Sequence, residues 1–226
     1  PNVLERNQAQ AARSQSENNA ALVHLGKTLF NERLLSLDGE MTCNHCHRMV
    51  NGAGYFRRPA LDTGASGEFA RFNTLPALNL AQAQYFGWRG ATSSLEDFLT
   101  EHLLSPGAMA MNRAEGLVKR LSVNPSYDVA FSVAFKKMTS TADKTTQAGI
   151  QVSYPRVVQA LAEYLRTVGS EDSFDRYLSG QDALSKAQQS GLTLFIEQGC
   201  VTCHKGSLLG TQVLVDKETG AILGDG

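Results

Sequence analysis

The pentad Cys-x-x-Cys-His occurs twice in this chain, as Cys43-Asn44-His45-Cys46-His47 and as Cys200-Val201-Thr202-Cys203-His204. No other feature limits the fold so tightly. Two thiols separated by two residues reach the two vinyl-derived carbons on one edge of a porphyrin, and the His that follows falls beneath the metal. All four Cys of the chain lie in the two pentads, so no disulfide remains to be made. A redox dithiol or half a zinc site also uses Cys-x-x-Cys. Zinc would need the two pairs to meet from distant parts of the chain, and neither alternative calls for His at the same place twice. The reading is therefore two covalently bound haem c groups. Cys43, Cys46, Cys200 and Cys203 are the attachment points, and His47 and His204 are the iron ligands. Two irons in one chain point to electron storage or transfer.

Composition narrows the class further. The 226 residues are 42% hydrophobic and 19% charged, with a formal net charge of −1. That describes an ordinary globular protein with no field to attract nucleic acid. No apolar run approaches the roughly 18 residues that span a membrane. Haem of this type is attached outside the bacterial cytoplasm, so a periplasmic or exported location is expected. A chain opening at Pro1 fits a mature form whose leader has been removed.

Helical periodicity dominates the rest. Residues 1–15 are polar and read as a loose arm. A helix is predicted from Ser16, with Ala20, Ala21, Leu22, Leu25 and Leu29 as its stripe, and Leu34-Leu35-Ser36 closes the segment. Residues 48–80 read as loop around a cofactor. Ser93 with Glu96, and Asn112 with Glu115, predict capping boxes for helices ending near Leu104 and Leu121. Pro125 starts a further helix, Ser153 and Pro155 open one through Val168, and a last runs from about Ala183 to Gln198. No strand pattern competes, and the fold class is mainly α. Gly26-Lys27-Thr28-Leu29-Phe30 and Gly191-Leu192-Thr193-Leu194-Phe195 repeat ahead of each pentad. Two cytochrome-c-like haem domains are expected. The predicted division is an arm with the start of the first helix (1–24), a first haem domain (25–168) and a second (169–226).

Several further stretches lie in order along the chain: Leu25-Gly26-Lys27-x-Leu29-Phe30, Asn73-Thr74-Leu75-Pro76-Ala77-Leu78-Asn79, Phe86-Gly87-Trp88-Arg89-Gly90-Ala91, Leu95-Glu96, Ser105-Pro106 and Met109, then Gly199 to Gly206 and Gly210. With the pentads, they resemble the dihaem bacterial cytochrome c peroxidases and their relative MauG. The resemblance implies a first, peroxidatic haem and a second, electron-donating one. Trp88 matches a Trp between the haems, an electron relay, with core packing as the alternative. Asn73 matches a calcium-binding position, with a loop hydrogen bond as the alternative.

The chain departs from that pattern around the first haem. Peroxide reduction needs an open iron position and a group that shifts a proton between the two oxygens. The family supplies a Glu and a supporting Gln, and those positions are Ala108 and Phe98 here. The distal His of many relatives aligns with Ala65. His102, four residues after Phe98, shares its helical side. It is read as a cap on the first iron, as an acid/base, or as a partly buried His with an ordinary partner. Met109 or Met111 is a candidate distal ligand, since a thioether suits low-spin haem iron, with packing as the alternative. His24 is expected to be structural on the apolar side of the first helix, and His45 to face solvent.

The second haem's distal ligand is not evident. The 22 residues after His204 hold no Met, His, Tyr or Cys. The second domain is accordingly expected to be truncated, or its iron to be five-coordinate or ligated from elsewhere. The expected function is a dihaem c-type cytochrome passing electrons between its haems, with weakened peroxide reduction. The alternatives are a non-catalytic carrier or a MauG-like oxidant of a partner protein. The implied partners are a small donor protein of cytochrome c or cupredoxin type, hydrogen peroxide and, in a homodimer, a second copy of the chain. Intact-mass measurement should find the chain heavier than its residues by two haem groups, with Soret absorption. A bare mass would remove the basis of the reading.

Overall fold

Leu22, Leu25, Leu29 and Phe30 lie on one side of helix α1 (Ala20–Phe30) and are buried. The computed structural model describes residues 19–49, 61–90, 92–136, 152–181, 183–210, 213–215 and 222–225. The predicted start at Ser16 lies outside them. The side chains of α1 meet α6 (Tyr154–Thr167), whose Val157, Val158, Ala160, Leu161, Ala162, Tyr164 and Leu165 are all buried. Gly26 makes the crossing close: a Cβ there would lie 1.9 Å from the Ala160 carbonyl oxygen and 2.7 Å from the Tyr164 Cβ. Phe30 then packs edge-on against Tyr164 at 5.5 Å.

Between these helices the chain forms a 3-10 turn at Arg33–Leu35 and the four-residue helix α2, Cys43–Cys46, which holds the first pentad. A second 3-10 turn, Leu80–Gln82, follows Asn79, which adopts a left-handed backbone (φ 59°). Asn79 binds the end of α6, its N–H donating to the Val168 carbonyl at 2.9 Å. Asn tolerates that backbone better than most residues.

Helix α3 (Leu95–Leu104) buries Leu95, Leu99 and Leu103. It is bound to α6 near both ends. The Tyr154 hydroxyl donates to the Thr100 carbonyl at 2.7 Å, and Arg166 pairs with Glu96 at 2.7 Å. Both charged side chains are partly exposed, so the pair adds at most about 1 kcal/mol and serves mainly to orient. Helices α4 (Ala114–Ser122) and α5 (Pro125–Lys136) complete the first module. Arg120 of α4 donates to the Ser36 and Leu37 carbonyls, and the Leu37 N–H donates to the Met109 carbonyl. The approach to the first pentad is thereby fixed to the turn after α3.

The mainly α class is borne out, with corrections of detail. Ser94, not Ser93, caps α3 by accepting the Asp97 N–H at 3.1 Å. Arg113, not Asn112, stands at the α4 N-cap without a side-chain bond. Ser153 stands at the N-cap of α6, again without a side-chain bond. A helix not predicted, α7 (Ser173–Leu178), follows α6 and starts at an Asp172–Asp175 capping box. Helix α8 (Lys186–Glu197) starts later than predicted, at a Ser185–Gln188 box. A short antiparallel hairpin of β1 (Val213–Val215) and β2 (Ile222–Asp225) follows the second pentad, where no strand was expected. No described helix is long and apolar enough to cross a membrane.

Gly26→Ala should destabilise the protein. Helix propensity alone would favour Ala by about 1 kcal/mol. A methyl placed on the α6 backbone should cost more, for a net loss of about 2 kcal/mol read as a lower urea midpoint.

Candidate functional site

The two pentads take different local forms. In the first, Cys43 and Cys46 lie on one helical turn and His47 is its C-cap, with its N–H donating to the Cys43 carbonyl at 2.9 Å. His45 faces solvent, as expected. Burial pushes the Cys43 thiol up to about 12 and, with the Asp62 carboxylate as second cause, the Cys46 thiol up to about 11. Neither sulfur is poised as a thiolate, which counts against a redox dithiol. Asp62 is itself buried and accepts a hydrogen bond from the Thr74 hydroxyl.

His47 faces His102 of α3, with ring centroids 6.2 Å apart at 59°. Phe98, one turn earlier, stacks on His102 at 5.4 Å and 21°. Burial first, and His47 second, pull the His102 imidazole down to about 4. It is therefore neutral near pH 7, able to bind a metal but holding no proton to give as an imidazolium acid.

The structure also joins two of the three positions where the sequence departs from the resemblance. The Ala65 N–H donates to the Ala108 carbonyl at 2.7 Å. The Ser66 hydroxyl donates to the Pro106 carbonyl at 2.8 Å. A Cβ on Gly64 would lie 2.4 Å from the Pro106 oxygen. The loop at 64–66 is thus fastened to the turn at 106–108, and both positions present only methyl groups. Met109 and Met111 are buried in the core, with the Met111 sulfur 3.9 Å from the Arg120 guanidinium. His102 has its ring beside His47.

In the second pentad, Gly199 (φ 77°) turns the chain out of α8 into a 3-10 turn at Cys200–Thr202. The His204 Nδ1 lies 3.1 Å from the Leu209 carbonyl oxygen. A carbonyl only accepts, so Nδ1 carries the proton and the Nε2 lone pair is left for a metal. A Cβ on Gly210, whose φ is 134°, would lie 3.2 Å from that Nδ1. Leu209 and Gly210 thus orient the ring. Sequence reading noted Gly210 but not this role. The Ser207 hydroxyl reaches the Gln82 carbonyl at 3.4 Å, tying the second pentad's loop to the first module.

The other candidates divide. Trp88 is 55% exposed, which rules out core packing; its Nε1–H donates to the Asn73 carbonyl at 2.6 Å, and its ring lies 6.0 Å from Phe72. Asn73 is exposed and accepts that loop hydrogen bond. No group of three or more His, Cys, Asp or Glu able to hold a metal occurs among the described residues. His24 is exposed, a correction to the apolar placement expected of it.

Comparison with known proteins agrees with the paired pentads. Residues 20–183 match the family model described as "Di-haem cytochrome c peroxidase". The chain is 34% identical over 214 residues to the cytochrome-c peroxidase IdrP1 of Pseudomonas sp. (strain SCT), covering 87% of this chain and 49% of the relative. It is 32% identical over 185 residues to the methylamine utilization protein MauG of Methylorubrum extorquens, covering 80% of this chain and 48% of the relative. The chain spans about half the length of these relatives. Among solved structures, a MauG-like protein associated with microbial copper homeostasis superposes with a TM-score of 0.70 at 21% identity, over 88% of this chain and 56% of that one.

Gly210→Ala should crowd His204 and weaken its bond to Leu209. A less electron-rich imidazole stabilises ferric iron less, so the second haem's midpoint potential should rise while the first stays put. Spectroelectrochemical titration reads both.

Proposed function

The chain belongs to the di-haem cytochrome c peroxidase family, and from that membership we propose that it is a redox protein passing electrons between two covalently held haems, with peroxide reduction much weakened. The donor sets fit the cofactor. Cys43 and Cys46 with His47, and Cys200 and Cys203 with His204, each supply two thioether sulfurs and one imidazole. Haem, when bound, supplies one-electron exchange at its iron.

The observation that carries the weakened-peroxidase reading is the backbone bond from Ala65 to Ala108 at 2.7 Å. It supports placing both methyl-bearing positions on one wall near the first pentad, where the resemblance puts a distal His and a Glu. Methyl groups transfer no proton. Phe98, at the position of the supporting Gln, stacks on His102 and adds apolar surface. Losing a positioned acid/base costs about 10²–10⁴ in rate.

The remaining roles follow from placement. Leu209 holds the His204 proton on Nδ1 and so orients the ring. Trp88, exposed and held by Asn73, is the relay by which electrons reach the first haem. A small cytochrome c or cupredoxin-type donor in the periplasm is the source of those electrons. The MauG-like alternative, oxidation of a partner protein, is supported by the match to MauG and by the same exposed Trp88 ring.

With a reduced small donor, both haems should be reduced. Peroxide turnover should fall about 10²–10⁴ below that of the cytochrome c551 peroxidase of Pseudomonas aeruginosa, a relative 30% identical over 210 residues, assayed with the same donor. Equal turnover would sink the weakened-peroxidase reading.

A further inference from the structure

We propose that His102 is the sixth ligand of the iron that His47 binds from the opposite face. The inference rests on the reading that the first pentad carries haem, and goes beyond it by assigning a ligand to the second axial position. A metal–imidazole bond is about 2.0 Å and the ring centre lies roughly 1 Å further on. Two imidazoles across one metal therefore have centroids about 6 Å apart. The observed separation is 6.2 Å.

Spacing alone would also suit an ordinary pair of packed rings. Three further observations favour ligation. First, Phe98 stacks on the His102 ring at 5.4 Å and 21°, which restricts the ring's rotation away from its place beside His47. Second, α3 is held to α6 by the Tyr154–Thr100 bond and the Arg166–Glu96 pair, so the ring rides on a fixed element. Third, the loop position that carries a distal His in many relatives is Ala65, and its backbone is fastened to Ala108. That loop offers no ligand, whereas α3 offers one at the required distance. The buried thioether of Met111 lies by Arg120 instead.

The consequence is a helix-borne ligand in place of a loop-borne one. A ligand on a loop leaves when the loop moves. His102 leaves only if its side chain rotates out of the Phe98 stack or α3 shifts on α6. External ligands should reach the first iron slowly, and only after His102 has left.

The test uses the full dihaem protein, with mass and absorbance first establishing two bound haems. Absence of haem would overturn the functional reading itself, a different result from any below. Electron paramagnetic resonance of the oxidised wild type should show the first haem low-spin. His102→Ala should convert one haem per chain to high spin and add one equivalent of carbon monoxide bound in the reduced state. Added imidazole should return the variant to low spin. His102→Met should keep the iron six-coordinate and raise its potential, and it supplies the reading if the Ala variant fails to accumulate. The proposal is overturned if wild type and both variants share the same spin states, potentials and carbon monoxide stoichiometry. Unchanged spectra with loss of residual peroxide consumption would overturn it too, assigning His102 to proton transfer.

Discussion

The close crossing of α1 and α6 is the constraint on which the first module depends. Gly26 brings the two backbones nearer than any side chain would permit, with space for no Cβ beside the Ala160 carbonyl. Packing at that distance fixes the axis of α6, and α6 in turn carries α3 through Tyr154 and Arg166. The other end of the frame runs from α1 through Leu37 and Arg120 toward Cys43. His47 and His102 sit on two separate branches of one rigid frame. Their spacing is thus a property of the helix crossing, not of either local segment.

Phe98 gives the His102 ring an apolar neighbour. On the proposed reading, Ala65, Phe98 and Ala108 stand where the resemblance puts a His, a Gln and a Glu, and Ala65 is joined to Ala108 by a backbone bond. On that reading, an iron held between elements fixed to one frame would change charge by one electron with little rearrangement.

Much of this was legible in the chain. The pentads could be read because covalent chemistry dictates their spacing. The helices could be read because burial repeats with the helical period: Leu22, Leu25 and Leu29 were correctly placed inside. His24 was misplaced for the same geometry. It lies two residues from Leu22, about 200° around the helix, and so points outward. Ser93 and Ser94 are chemically equal caps, and only the path of the chain distinguishes them. Helix α7 has six residues and the two strands three and four, too short for a period to register. The approach of His102 to His47 was half legible. Its helical side followed from Phe98, but its distance from the pentad depends on how α3 sits on α6, which no local pattern encodes.

The second module is built on another principle. Neither α7 nor α8 buries a single side chain, and each is held at its start by a capping box made within a few residues. Leu194, Ile196, Val201 and Leu209 all remain open to water beside the pentad. An apolar disc anchored there would give those side chains something to close upon. The porphyrin would then act as the hydrophobic nucleus of this half. Acquiring the cofactor and acquiring a stable tertiary structure would be one thermodynamic event, as in metal-dependent mini-domains.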